Sequence, residues 1–144
     1  MDNIPKYLSK ILVNIYHQLI NLLYDEMNEE TYNIARLNVG LLATKFSDKF
    51  FNELIPIIRE TIIKEKDKEY ITDASFTMIN VAVSEISEKL LGYNRNIILK
   101  IMYENVFTEF SSVREQIAQI VYLMSKRLND HNMNRNLVNN YEAS

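Results

Sequence analysis

The chain has 144 residues, 47% of them hydrophobic and 24% charged, with a formal net charge of −3. That is enough for one domain with a substantial core, and the mixed, slightly acidic charge argues against the broad basic footprint of a nucleic-acid-binding domain, leaving only a local basic patch as a route to direct nucleic-acid contact. Cysteine is absent, which excludes disulfides, thiolate metal sites and a cysteine nucleophile.

Two glycines and two prolines in the whole chain leave little turn chemistry for short strands, so the chain reads as nearly all helix. The segment Met1 to Pro5 lacks the basic and then apolar pattern of a secretory signal. No stretch approaches the ~18 uncharged apolar residues of a membrane span. The expectation is a soluble, cytoplasmic protein without membrane contact.

In chain order, the first helix begins at Pro5, with Asn3 as its cap, and carries a wide apolar stripe through Leu8, Ile11, Leu12, Ile15, Leu19, Ile20, Leu22 and Leu23. Asp25 to Glu30 reads as a turn, Thr31 to Phe46 as the second helix, and the polar Ser47, Asp48 and Lys49 as its end. A third helix spans Phe50 to Lys66, and Pro56 inside it predicts a kink, because the ring removes a backbone donor and crowds the preceding turn. Thr72 or Asp73 would cap a fourth helix running to Leu91, with Gly92 terminating it in a left-handed conformation. A fifth helix runs from Asn94 to Glu109. Ser111 and Ser112 would cap a sixth, Val113 to Leu128, and residues 129–144 form a polar tail that frays.

These helices recur. Leu12, Ile55 and Ile98 are 43 positions apart, as are Ile11, Leu54 and Ile97, and again Ile15, Ile58 and Ile101. A second series aligns Ala35, Val39, Leu42 and Phe46 with Ile79, Val83, Ile86 and Leu90, and these with Ile117, Val121, Met124 and Leu128. Paired helices at a period of roughly 40–47 residues read as HEAT-type repeats. The predicted fold is therefore an all-α solenoid of three antiparallel helix pairs, residues 4–46, 50–91 and 94–128, in which each pair buries an apolar stripe against the next.

The run from Val39 to Ile58 resembles a stretch in the HEAT array of the ribosome-associated translational activator family of the general amino-acid control pathway. That family has a Leu-Gly-Asp-Leu-Val-Arg-Lys-Leu-Gly-Glu-Lys helix followed by Leu-Pro-Glu-Ile-Ile-Pro-Ile-Leu, and Gly40, Leu42, Lys45, Lys49, Glu53, Ile55, Pro56 and Ile58 fall on matching positions. Val83 to Ile86 is similar to its Leu-Ser-Glu-Ile, and Val113 to Ala118 to its Val-Arg-Glu-Ala-Ala-Ala. Ser47 stands where the family has glycine, Leu99 where it has a second proline, and Ser111 or Ser112 where an acidic turn residue is usual. The resemblance covers residues 4–128. It implies a non-enzymatic segment of a longer solenoid, on translating ribosomes and, through the longer protein, with the kinase that phosphorylates an initiation factor during starvation.

The residues alone nominate few sites. His17 and His131 have no second ligand at metal spacing, and Glu85 with Glu88, or Glu26 with Glu29 and Glu30, read as solvated faces rather than acid–base pairs. No catalytic, metal or cofactor site is expected. Arg114 reads as a structural arginine pairing with turn acids of neighbouring repeats. Lys45, Lys49, Lys126 and Arg127 are the candidate partner-binding cations, forming a ridge for ribosomal RNA or an acidic protein. Tyr16, Tyr93, Tyr103, Tyr122, Met102 and Met124 would suit an adaptable apolar groove if they are not inter-repeat packing. Two rival readings remain: another HEAT scaffold of the transport-receptor or phosphatase type, and a compact helical bundle that binds an amphipathic partner helix around a buried fourth helix.

Overall fold

A sequence so poor in glycine and proline has few places to stop a helix, and in the computed structural model, which describes residues 4–24 and 28–129, the described residues form helices and connecting turns without strands. In chain order these are α1 (Ile4–Tyr24), α2 (Glu29–Lys45), α3 (Ser47–Lys49), a π-helical segment (Phe50–Leu54), α4 (Ile55–Lys64), α5 (Glu69–Glu85), α6 (Glu88–Tyr93), α7 (Arg95–Glu104) and α8 (Ser111–Arg127). The chain divides into two compact units, one up to Ser75 and one from Phe76, so that α5 contributes its first part to one and the remainder to the other.

In the first unit α1 packs on α2 and on the π-helical segment. Its core holds Leu12, Tyr16, Leu19, Ile20 and Leu23 from α1, Ala35, Val39 and Ala43 from α2, and Leu54, Ile55, Ile58 and Ile62 beyond. Each large side chain buried this way contributes about 1.5–3 kcal/mol. Tyr16 is fully buried and satisfies its hydroxyl at Ser75 Oγ, 2.8 Å away. Ser75 Oγ also donates to the Ile71 carbonyl at 2.8 Å.

The second unit packs α7 against α6 and α8. Its core is built from Phe76, Ile79, Val83 and Ile86, from Leu91, Ile98, Ile101 and Met102, and from Val113, Ile117, Val121 and Met124. Cross-helix polar bonds join Gln116 Nε2 to Thr77 Oγ1 at 3.1 Å and Asn80 Nδ2 to Gln119 Oε1 at 3.4 Å.

The helix ends differ from expectation, for identifiable reasons. α2 begins two residues earlier than Thr31, because the Asn28 side chain caps it by accepting from the Thr31 N–H at 3.1 Å. Phe46 breaks it with φ −126° and ψ 45°, and this break turns out Phe46, expected in the core, to 60% exposure. Pro56 is not inside a long helix but in the first turn of α4. The kink expected there takes the form of the π-helical segment, in which the Ile55 N–H reaches back five residues to the Phe50 carbonyl just before the proline removes the next donor. Thr72 caps nothing: α5 already starts at Glu69, and the buried Thr72 hydroxyl donates to the Lys68 carbonyl at 3.0 Å.

The predicted fourth helix ends at Glu85 rather than Leu91, since Ser87 caps a new helix by accepting from the Leu90 N–H at 3.2 Å. Gly92 is not a left-handed terminator. It lies inside α6 without positive φ, and the helix stops at Asn94, whose amide donates to the Leu90 carbonyl at 2.9 Å. The fifth helix stops at Glu104, where Asn105 repeats that device on the Ile101 carbonyl at 2.8 Å. Ser111 and Ser112 lie in the first turn of α8, which follows Phe110. α8 ends with Asn129 at φ 53°, its N–H on the Lys126 carbonyl. Of these asparagines Asn129 takes the left-handed conformation that glycine usually supplies, whereas Asn94 and Asn105 act through their side chains. Asn3 and residues 130–144 lie outside the described residues.

Candidate interaction surface

Lys45 and Lys126 are exposed in the last turns of α2 and α8, where cations complement the helix dipole. Lys49 is exposed and forms an i,i+4 ion pair with Glu53 at 3.4 Å. Arg127 is half-buried and committed: Nη1 donates to the Val83 carbonyl at 2.6 Å and Nη2 to the Ile86 carbonyl at 2.7 Å. Val83 belongs to the last turn of α5, whose final carbonyls have no intrahelical donor, so Arg127 acts as a forked cap on that helix. Lys45 and Lys49 belong to the first unit and Lys126 and Arg127 to the second.

Arg114 donates to the Thr108 carbonyl at 2.8 Å, in the turn just before α8; it organises its own loop. Glu85 and Glu88 are exposed, as are Glu29 and Glu30 in the first turn of α2, where negative charge suits the helix N-terminus. Glu26 and His131 lie outside the described residues. The His17 side chain is exposed, its ring 5.7 Å from that of Tyr16. Among the described residues no group of three His, Cys, Asp or Glu side chains is placed to hold a metal ion, and no helix is long and apolar enough to cross a membrane.

Of the suggested groove, Tyr16, Met102 and Met124 are buried in the core, whereas Tyr93 and Tyr122 are exposed. A separate apolar surface lies on α2. On α2, Ile34, Leu37 and Leu41 are 52%, 65% and 43% exposed and share one face by their i, i+3, i+7 spacing. That face is opposite the buried Ala35, Val39 and Ala43. Glu29, Glu30, Asn33, Ile34 and Leu37 line a shallow depression at its N-terminal end. The missed signal is two apolar stripes on opposite sides of one helix.

Nothing among known protein families, curated proteins or solved structures matches the chain.

Proposed function

We propose that this chain is a non-enzymatic scaffold segment of HEAT type, similar to the ribosome-associated activator family, that works by presenting a static surface to other macromolecules. The observation that carries the reading is burial at repeat spacing: Leu12, Ile55 and Ile98 are all in the core, as are Ala35, Ile79 and Ile117, and Val39, Val83 and Val121. Such equivalence across three helix pairs is what a stacked series requires. Burial also varies in an ordered way, since Ile11 and Ile97 are 52% and 43% exposed while Leu54, between them in the series, is buried. The equivalence therefore does not extend to this position, where only the middle residue is covered.

The partners implied are proteins, with the ribosome first and, through a longer protein, a stress kinase; the setting is the cytoplasm. Of the nominated cations, Lys45, Lys49 and Lys126 are exposed to such a contact, and Arg127 is withdrawn from it by its role on α5. Co-sedimentation with ribosomes tests the reading.

A second reading is favoured by α5. Ala74 to Ile79 and Val81 to Val83 are all buried, and six consecutive buried positions cover every side of a helix. A helix enclosed all round is the hallmark of a compact bundle, and such a bundle would bind an amphipathic partner helix in a surface groove.

A further inference from the structure

We propose that α2 is a self-association surface: Ile34, Leu37 and Leu41 dock on the same residues of a second copy of this chain in antiparallel register, with Glu30 of each copy facing Lys45 of the other. The inference needs neither packing scheme for the whole chain, because it rests on one helix and is measured on the protein alone.

Single exposed leucines are ordinary, but three large aliphatic side chains in one stripe form a patch that water disfavours. The same positions on the later helices are occupied differently. On α5 the counterparts of Ile34 and Leu37 are Met78 and Val81, both buried, and that of Leu41 is the exposed Glu85. On α8 they are Gln116 and Gln119, whose amides bond Thr77 and Asn80 of a neighbouring helix, and the half-buried Leu123. This side of the helix is thus where another helix is met, and on α2 it is apolar and exposed.

The choice of a second copy follows from self-complementarity. In an antiparallel pair related by a two-fold axis, setting Ile34 opposite Leu41 of the other copy brings the two Leu37 side chains together beside the axis. The same register places Glu30, in the acidic first turn, opposite Lys45, in the basic last turn. One register therefore satisfies the apolar contacts and both ion pairs, and it also sets each positive helix N-terminus beside a negative C-terminus. A seam of one helix per copy falls short of the ~1,200–2,000 Å² of a standard interface, so the dimer is weak and reversible.

The test is sedimentation equilibrium of the full chain up to about 100 µM, with helicity checked by circular dichroism. The expected result is a concentration-dependent monomer–dimer equilibrium. Leu37→Arg, at a position 65% exposed and so without a core to disturb, weakens it by about tenfold or more. Glu30→Lys and Lys45→Glu each weaken it at low salt, and Glu30→Lys/Lys45→Glu together restores it, because the charges face each other again. A monomer at every concentration, the result expected if the chain's own tail or an unrelated partner covers the stripe, overturns the proposal. So does a dimer indifferent to Leu37→Arg, or a double charge reversal that fails to restore association.

Discussion

Arg127 Nη1 lies 2.6 Å from the carbonyl oxygen of Val83, 44 residues earlier in the chain. The bond closes the C-terminal end of α5 with the C-terminal residue of α8, and the second fork on Ile86 fixes the guanidinium plane. Hydrogen bonds to a charged donor contribute about 1.5–3 kcal/mol each when partly shielded from water. Arg127→Met, which removes both bonds, should therefore lower stability by about 3 kcal/mol or more. Arg127→Lys should recover only part of it, since an ammonium cannot donate to two fixed carbonyls in the same plane. The denaturation midpoints of the two variants, measured side by side, check this; equal stability to wild type would remove Arg127 from its capping role.

Val39, Val83 and Val121 occupy one position of the series and are each essentially inaccessible to solvent. Replacing any of them with Asp puts a charge where neither water nor a cation can reach it, at a cost of several kcal/mol. The three variants should lose stability to a similar degree, read from urea or guanidinium unfolding. An unchanged midpoint for Val83→Asp would show the register to be misassigned.

Gly92 makes the opposite prediction. It sits in α6 with ordinary helical backbone, and a methyl group added there would meet only Leu128 Cδ2 at 3.7 Å, normal van der Waals contact. Gly92→Ala should be neutral or stabilise by up to about 1 kcal/mol, through reduced freedom of the unfolded chain and better helix propensity. A clear loss of stability in thermal unfolding would mean that the glycine is needed for a reason other than backbone conformation.

Tyr16 couples stability to alkaline pH. Burial pushes its hydroxyl above the ordinary value of 10.0, partly offset by hydrogen bonds with Ser75 and Thr61. The unfolded chain ionises this tyrosine first, so its contribution is fully present below pH 10.0 and is lost as pH rises towards the folded-state value. Tyr16→Phe should cost about 1 kcal/mol at neutral pH, where it removes the bond to Ser75, and should flatten the fall in stability above pH 10.0. Denaturant titrations of both proteins between neutral and alkaline pH would show the difference; parallel curves would contradict it.

The core was legible where it followed the period. Leu12, Ile55 and Ile98 repeat at one spacing because each occupies the same place on its helix, and a place in the core constrains residue type. Phe46 was misplaced because the periodic pattern carries no sign of a backbone break one residue after Lys45. Helix ends were harder still: Asn94 and Asn105 stop helices through side-chain bonds to carbonyls four residues back, a competition between side chain and backbone that composition does not reveal. The Arg127 fork left no trace at all, since a side chain that reaches carbonyls 44 and 41 residues away depends on packing rather than local spacing. It also removes one member from the cationic group nominated for partner binding. The α2 stripe is present in the sequence as a second apolar series, Ile34, Leu37 and Leu41, on the side opposite Ala35, Val39 and Ala43.

The scaffold reading is tested most directly by co-sedimentation of the folded chain with ribosomes across a salt series, comparing wild type with Lys45→Glu/Lys49→Glu/Lys126→Glu, which leaves Arg127 and the core untouched. The account predicts modest wild-type binding that weakens as salt rises, and a folded triple variant with reduced binding and a shallower salt dependence. Absence of wild-type binding at low salt, or unchanged binding by the folded triple variant, would contradict it.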